Sequence, residues 1–374
     1  MRNRQSGGGQ ASRAADVTSS ANAANPRLRL ARGLVMEHGW NATAYQIINP
    51  GIAHWFSAAG DAVVGYVPRH GVRVVAGAPV CSRERLADVA TEFEEDALQA
   101  GQCVCYFGAE ARLESLYHND PEHSAILLGA QPAWHPRRWP GIVAAHASLR
   151  AQLNRARNKG IWVEEWTPER ATGHPALEHC LSDWLESRGL PPLYFLVEPR
   201  TLERLFDRRI FVARGPSGVA GFLVASPVPQ RNGWLVEQSI RCRNAPNGTA
   251  ELMIDSAVRA MRANGSEYVT LGLAPLAYHT PEVQLRNPPT IRLLLAWVRA
   301  HGRRFYNFGG LDAFKSKFHP ECWEPVFAIA NEQRFGFGTL YAAAEAFCDG
   351  SPVWTILKGV KRQWKSIIRL EDLR

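Results

Sequence analysis

Two lysines in an aromatic-rich stretch carry the strongest chemical signal in this sequence. They are Lys315 and Lys317, within Phe305-Tyr-Asn-Phe-Gly-Gly-Leu-Asp-Ala-Phe-Lys-Ser-Lys-Phe-His-Pro320. If the segment is extended, both ammonium groups lie on one face, with Phe314 and Phe318 beside them. In a helical turn the lysines diverge. In either case apolar side chains anchor the segment while the ammonium groups reach for negative charge. Gly309 and Gly310 permit a tight turn or close approach of a ligand to backbone. Asn307, Trp323 and Glu324 add further binding groups to the same segment. The alternative is an edge strand whose lysines guard it against aggregation.

Other chemistries lack their residues. The twelve histidines are scattered, with no H-E-x-x-H and no His/Cys spacing suited to zinc, so no metal is expected. There is no G-x-S-x-G, no Walker loop and no Rossmann fingerprint. A net charge of +8 and a pI near 9.3 favour anionic partners: nucleic acid, anionic lipid or a phosphorylated substrate. The 374 residues, 46% of them hydrophobic, suffice for two domains without disulfide staples. Seven cysteines without a C-x-x-C spacing fit a reducing, cytoplasmic setting. No apolar run is long enough to span a bilayer.

The elements that must position the lysines are readable by period. Residues 1–28 are rich in Gly, Ser, Ala and Arg and read as a disordered tail. Strands are expected at Ala62–Val67 and Val72–Ala76, followed by a helix at Arg83–Gln99 and a strand at Cys103–Phe107. The three prolines of 131–141 mark a connector. A helix at Ser148–Lys159, with Ser148 as N-cap, aligns Arg150, Asn154 and Arg157 in one stripe, so that both guanidiniums point one way. A further helix covers Pro175–Ser187, and strands follow at Ile210–Arg214, Val219–Ser226 and Trp234–Arg241.

The loop Arg243-Asn-Ala-Pro-Asn-Gly248 then leads to a helix at Thr249–Ala263 and a strand at Tyr268–Leu273. Strand, Gly-bearing loop, helix and strand make a unit that cradles phosphate at a helix N-terminus. The layout is closest to the N-acetyltransferase (GNAT) fold. Arg243, Asn247 and Gly248 sit where its cofactor loop would lie, but Pro246 and the spacing depart from the acetyl-CoA pattern.

Several segments together resemble one family. They are Gly39-Trp-Asn41, Ala76-Gly-Ala-Pro79, the helix from Leu149 to Gly160, Ala245-Pro-Asn-Gly248, Leu271-Gly-Leu-Ala-Pro-Leu276 and Phe305 to Pro325. Their order is similar to the C-terminal catalytic domain of phosphatidylglycerol lysyltransferases (aminoacyl-phosphatidylglycerol synthases, DUF2156). The resemblance implies an α/β, tandem GNAT-like fold: an N-terminal unit at 29–135, a catalytic unit at 136–335, and C-terminal helices at 336–374. It also implies an aminoacyl transferase with aminoacyl-tRNA as co-substrate, no tightly bound cofactor and a lipid hydroxyl as acceptor. Arg150, Asn154 and Arg157 would lie beside an anionic substrate. Lys315 and Lys317 would belong to the catalytic centre, with Gly272, Ala274, Pro275, Asn307, Gly310, Trp323 and Glu324 around them.

An aminoacyl ester needs a positioned nucleophile, proton removal and oxyanion stabilisation. Lys317 is assigned to the oxyanion and Lys315 to the terminal phosphates of tRNA. Glu237 either binds the donor's α-ammonium, acts as base, or is an ion-paired strand carboxylate.

At the C-terminus, Val353, Ile356, Leu357, Val360, Trp364, Ile367 and Ile368 recur at helical spacing. Lys358, Lys361, Arg362, Lys365 and Arg369 fill the other face. This reads as a basic amphipathic helix, for a membrane surface or for docking on its own domain. The rival functions are a GNAT-type acyltransferase using a CoA thioester or acting on a small molecule or glycan, and a non-catalytic basic RNA- or membrane-binding protein.

Overall fold

The computed structural model describes residues 25–187, 195–196, 198–277, 279, 287 and 308–348. Helix α1 (Pro26–His38) precedes strands β1 (Ala53–Phe56), β2 (Val63–Arg69) and β3 (Val72–Ala76), helix α2 (Leu86–Gln99) and strand β4 (Cys103–Glu110). Helix α3 (Ala111–Tyr117), strand β5 (Ser124–Trp134), and helices α4 (Trp139–Ala145) and α5 (Ala147–Asn158) follow. Next come β6 (Trp162–Trp166), α6 (Pro168–Ala171), α7 (Pro175–Ser187), β7 (Arg209–Gly215), β8 (Gly218–Val228) and β9 (Gly233–Arg241). The chain continues with α8 (Thr249–Ala263), β10 (Tyr268–Thr270), β11 (Ala274–Pro275), α9 (Phe308–Ser316), β12 (Cys322–Ala330) and α10 (Phe337–Ala346).

Among the described residues, the strands form one twelve-stranded sheet in the order β1-β2-β3-β4-β12-β5-β10-β9-β8-β7-β6, with β11 beside β5. Two neighbours are parallel, β3 with β4 and β9 with β10. A parallel pair needs a crossover, and the amphipathic helices α2 and α8 supply them. Leu86, Val89, Phe93 and Ala97 of α2 pack on Val104, Tyr106 and Ile329. Ile254, Ala257, Val258 and Met261 of α8 pack on Leu223, Val236 and Val269. Strand β12, late in the chain, inserts between β4 and β5, so β5 is flanked on both sides by strands of the second half. This is a tandem GNAT-like α/β fold.

Several sequence expectations are corrected. Residues 25–28, read as part of the tail, belong to α1 and its cap: Asn25 accepts from the backbone N–H groups of Arg27 and Leu28. Residues 131–141 are not a connector. Gln131–Trp134 finish β5, and Trp139–Pro140 open α4. Pro132 is tolerated because β10 pairs only as far as Ala133; beyond it, the Thr270 hydroxyl donates to the Pro132 carbonyl at 2.8 Å. The residue before α5 is His146, without a side-chain cap bond, so Ser148 is not the cap. Cys180 and Cys242, read as free thiols, form a disulfide that ties α7 to the end of β9. The lysine segment is helical, not an edge strand. The basic C-terminal segment 353–369 lies outside the described residues.

Candidate active site

The site begins where β10 leaves β9. Tyr268, Val269 and Thr270 pair with Gly233, Trp234 and Leu235, but β9 runs on to Arg241 while the segment after β10 turns away. The turn goes through Gly272, whose φ of +69° suits glycine and whose Cα lies close to the Leu235 side chain. Thr270 holds the turn, its hydroxyl accepting from the Gly272 N–H at 3.0 Å. Ala274 and Pro275 then dock as β11 opposite Ala130 and Gly129. A Cβ on Gly129 would meet the Ala274 carbonyl oxygen at 2.3 Å, so only glycine admits this approach.

Helix α9 closes over the turn. Its anchor is Phe318, fully buried just past the helix end, stacked on Trp139 and edge-on to Trp134 and Phe314. Trp134 also donates its indole N–H to the Phe318 carbonyl at 3.0 Å. With Phe314 and Phe318 one helical turn apart, Lys315 is driven inward and Lys317 outward.

Lys315 is only 5% exposed, and its Nζ donates to the carbonyls of Gly272 at 2.7 Å and Leu273 at 2.8 Å. Burial pulls its pKa down to about 7, against a smaller opposing pull from Asp312. Two carbonyls satisfy both N–H groups of a neutral amine and leave its lone pair open. Lys317 is half-exposed and pairs with Glu251 in the first turn of α8 at 3.3 Å. The neighbouring Gly248, φ +95°, packs against the Gln152 carbonyl of α5.

A second set of groups lies beside the first. Glu324 on β12 accepts from Arg231, from the Tyr268 hydroxyl at 2.8 Å and from the Gln131 amide at 3.0 Å. Arg231 also reaches Glu110 at 3.1 Å and lies 3.5 Å over the Tyr268 ring. The arginine and its hydrogen bonds hold the Glu324 carboxyl below its usual range despite burial. Glu110 is pushed up to about 7, because burial outweighs Arg231. Next to Glu324, Trp323 stacks on His279 at 3.7 Å, and His279 bonds Asp312 of α9 at 2.6 Å. The two sets are thus joined through α9.

The remaining candidates are dispersed. Arg150 does not point with Arg157. Its guanidinium donates to the Val143 and Ala144 carbonyls at the end of α4, while Arg157 pairs with buried Asp255 at 3.0 Å. Asn154 is exposed and accepts from Arg157 at 3.5 Å. Arg243 is exposed, and Asn247 accepts from Arg241. Glu237 is buried in an ion pair with Arg208 at 3.0 Å; Arg208 also bonds Asn49 and lies over Tyr45. Gly310 is exposed on α9, and Asn307 lies outside the described residues. Sequence reasoning missed Arg231, Glu110, Tyr268 and Gln131, which come from four separate elements. Only Asn232-Gly233, a hairpin signal placing Arg231 at a turn, pointed there.

Residues 32–330 match the family model for the phosphatidylglycerol lysyltransferase C-terminal region. A phosphatidylglycerol lysyltransferase of Bacillus subtilis is 26% identical over 305 residues, covering 80% of this chain and 34% of that protein. The chain thus spans about a third of the length of the curated relatives it matches. Two solved structures share its fold. One is a C-terminal DUF2156 domain assigned to a lysylphosphatidylglycerol synthetase from Agrobacterium fabrum, with TM-score 0.73, 23% identity and coverage of 86% of this chain and 97% of that one. The other is L-PGS from Bacillus licheniformis, with TM-score 0.70, 19% identity and the same coverages. The chain belongs to the phosphatidylglycerol lysyltransferase C-terminal family, a family of acyltransferases.

Proposed function

We propose that this chain moves an aminoacyl group from aminoacyl-tRNA to the glycerol hydroxyl of phosphatidylglycerol, working peripherally at the inner face of the membrane. The observation that carries the reading is Lys315: a buried amine, held by two main-chain carbonyls, that titrates near neutrality. Such a group can take a proton and return it within one catalytic cycle. The acceptor hydroxyl attacks the ester carbonyl and gives its proton to Lys315. The tetrahedral oxyanion collapses, the bond to the terminal ribose oxygen breaks, and the departing oxygen regains the proton from Lys315. No cofactor is needed, because the ester is already activated.

The exposures favour different roles from those assigned from sequence, where Lys317 met the oxyanion and Lys315 the tRNA phosphates. Lys317, half in solvent beside the N-terminus of α8, suits the phosphates of the tRNA end. Lys315, out of water, suits proton transfer. The family match, and the lysyltransferase name of the Bacillus subtilis relative, support the lipid acceptor. The test is incubation with radiolabelled aminoacyl-tRNA and phosphatidylglycerol vesicles. Label should pass into the organic phase; label that stays on tRNA or is released as free amino acid refutes the reading.

A further inference from the structure

Arg112, in the first turn of α3, has a guanidinium edge without a partner. Its Nε and Nη2 atoms are shielded from solvent, yet among the described residues neither meets a hydrogen-bond acceptor. Those two atoms form the edge with which Arg32 grips Asp207 and Arg209 grips Glu165 elsewhere in this protein. Leaving such donors unmet is costly, more so for a charged group. The groups around Arg112 do not answer it. Glu84 is engaged by Ser82 and its own backbone, Arg83 is a like charge, and the Cys81 thiol is pushed up to about 11 by burial and stays neutral. The cavity beside it, about 20 Å³, is walled by Trp40, Asn41, Ala78, Pro79, Leu86 and Leu113. That volume holds a single water molecule. A larger anion enters only if the Trp40 ring, 38% exposed, swings aside.

The surroundings say what kind of anion fits. Trp40 covers Arg112 at 5.6 Å, and Leu116, 39% exposed, lies one turn along α3 on the same face. An arginine edge flanked by an exposed tryptophan and leucine matches the boundary of a phospholipid layer, where indole rings sit at headgroup level. Trp40 is also 5.4 Å from Arg231, the partner of Glu324. This edge therefore connects by direct contact to the groups that adjoin α9 and Lys315.

We propose that Arg112 binds the headgroup phosphate of the acceptor phospholipid through this free edge, with Trp40 and Leu116 entering the lipid layer beside it. Two parallel N–H···O bonds would form to the non-bridging phosphate oxygens. This rests on the lipid-acceptor reading above but is tested separately, by vesicle co-sedimentation of the whole chain with phosphatidylglycerol vesicles. The variants are Arg112→Gln and Arg112→Lys, the second keeping charge but losing the two-pronged geometry.

Both variants should bind about tenfold more weakly and show a raised KM for lipid, with no change in KM for aminoacyl-tRNA. Their thermal midpoints should equal or exceed that of the wild type, since no internal hydrogen bond is lost. Unchanged binding of both the vesicles and free glycerophosphate, or a fall in the midpoint showing a structural role, overturns the site. Loss of glycerophosphate binding with intact vesicle binding overturns the lipid assignment. If the wild type transfers nothing to lipid but Arg112→Gln still abolishes vesicle binding, this site stands and the proposed reaction falls.

Discussion

Replacing Lys315 by methionine keeps most of the side chain's volume and removes the titrating amine. The folded pKa, about 7, lies below the ordinary value of 10.5, a bias toward the neutral form on the order of 5 kcal/mol. Between these values the unfolded chain holds a proton that the folded chain has released. Stability from this group therefore rises with pH, by about 1.4 kcal/mol per unit across that window. The buried thiols of Cys81 and Cys105, raised to about 11 and 12, act in the opposite direction. The quantity to read is thus the difference between wild type and Lys315→Met in urea unfolding at pH 7.5 and 9.5. That difference should shift by about 2.5 kcal/mol in favour of the wild type at the higher pH. In single-turnover transfer from pH 6 to 8.5, the wild-type rate should climb through a midpoint near pH 7. Lys315→Met should lose that limb and about 10²–10⁴-fold in rate. A variant that keeps the rising limb, or a difference in stability that is flat with pH, would refute the reasoning.

Other perturbations follow from the same geometry. Arg231→Gln leaves Glu110 and Glu324 without their shared cation, and should cost about 3–5 kcal/mol by denaturant unfolding. Glu110 itself, raised from 4.5 to about 7, binds its proton more tightly when folded. Its contribution therefore fades as pH rises from 4.5 through 7, and Glu110→Gln should flatten unfolding curves compared across that interval. Gly129→Ala drives a methyl group into the Ala274 carbonyl. Both stability and transfer rate should fall, with the activity loss exceeding what the unfolded fraction explains. Phe318→Ala empties a pocket between Trp134 and Trp139 and should cost about 3–5 kcal/mol in urea titration. Lys317→Ala should raise KM for tRNA and lower the salt dependence of tRNA binding by about one phosphate contact in filter binding at graded salt.

The sequence disclosed the parts governed by local period. Helix α8 occupies the expected Thr249–Ala263, and β3 the expected Val72–Ala76, because amphipathic stripes and apolar runs are read off neighbours in the chain. The lysine segment was ambiguous for a physical reason. Lys/Phe alternation fits a strand, while Phe314 and Phe318 four apart fit a helix, and the Gly309-Gly310 pair argues weakly against both. Burial of Phe318 against two tryptophans decided it, and that contact is invisible in sequence. The same holds for β12. Nothing in Cys322–Ala330 says that it slots between β4 and β5, strands from the first half of the chain. The Arg231–Glu324–Glu110 group depends on that insertion, so it could not be foreseen. Pro132 misled because a proline in a central strand is rare, and only the early departure of β10 makes room for it.

The central claim is that the amine of Lys315 carries the proton of the transfer, from the acceptor hydroxyl to the departing ribose oxygen. A structure of the chain with a non-hydrolysable aminoacyl-adenosine analogue tests it most directly. The account predicts that the analogue's scissile linkage lies beside Lys315 Nζ, above the Gly272–Leu273 turn, with the atom in place of the departing ribose oxygen within hydrogen-bond reach and the nucleoside end toward Lys317. An analogue seated elsewhere, with Lys315 still sealed beneath α9 and out of its reach, would contradict it.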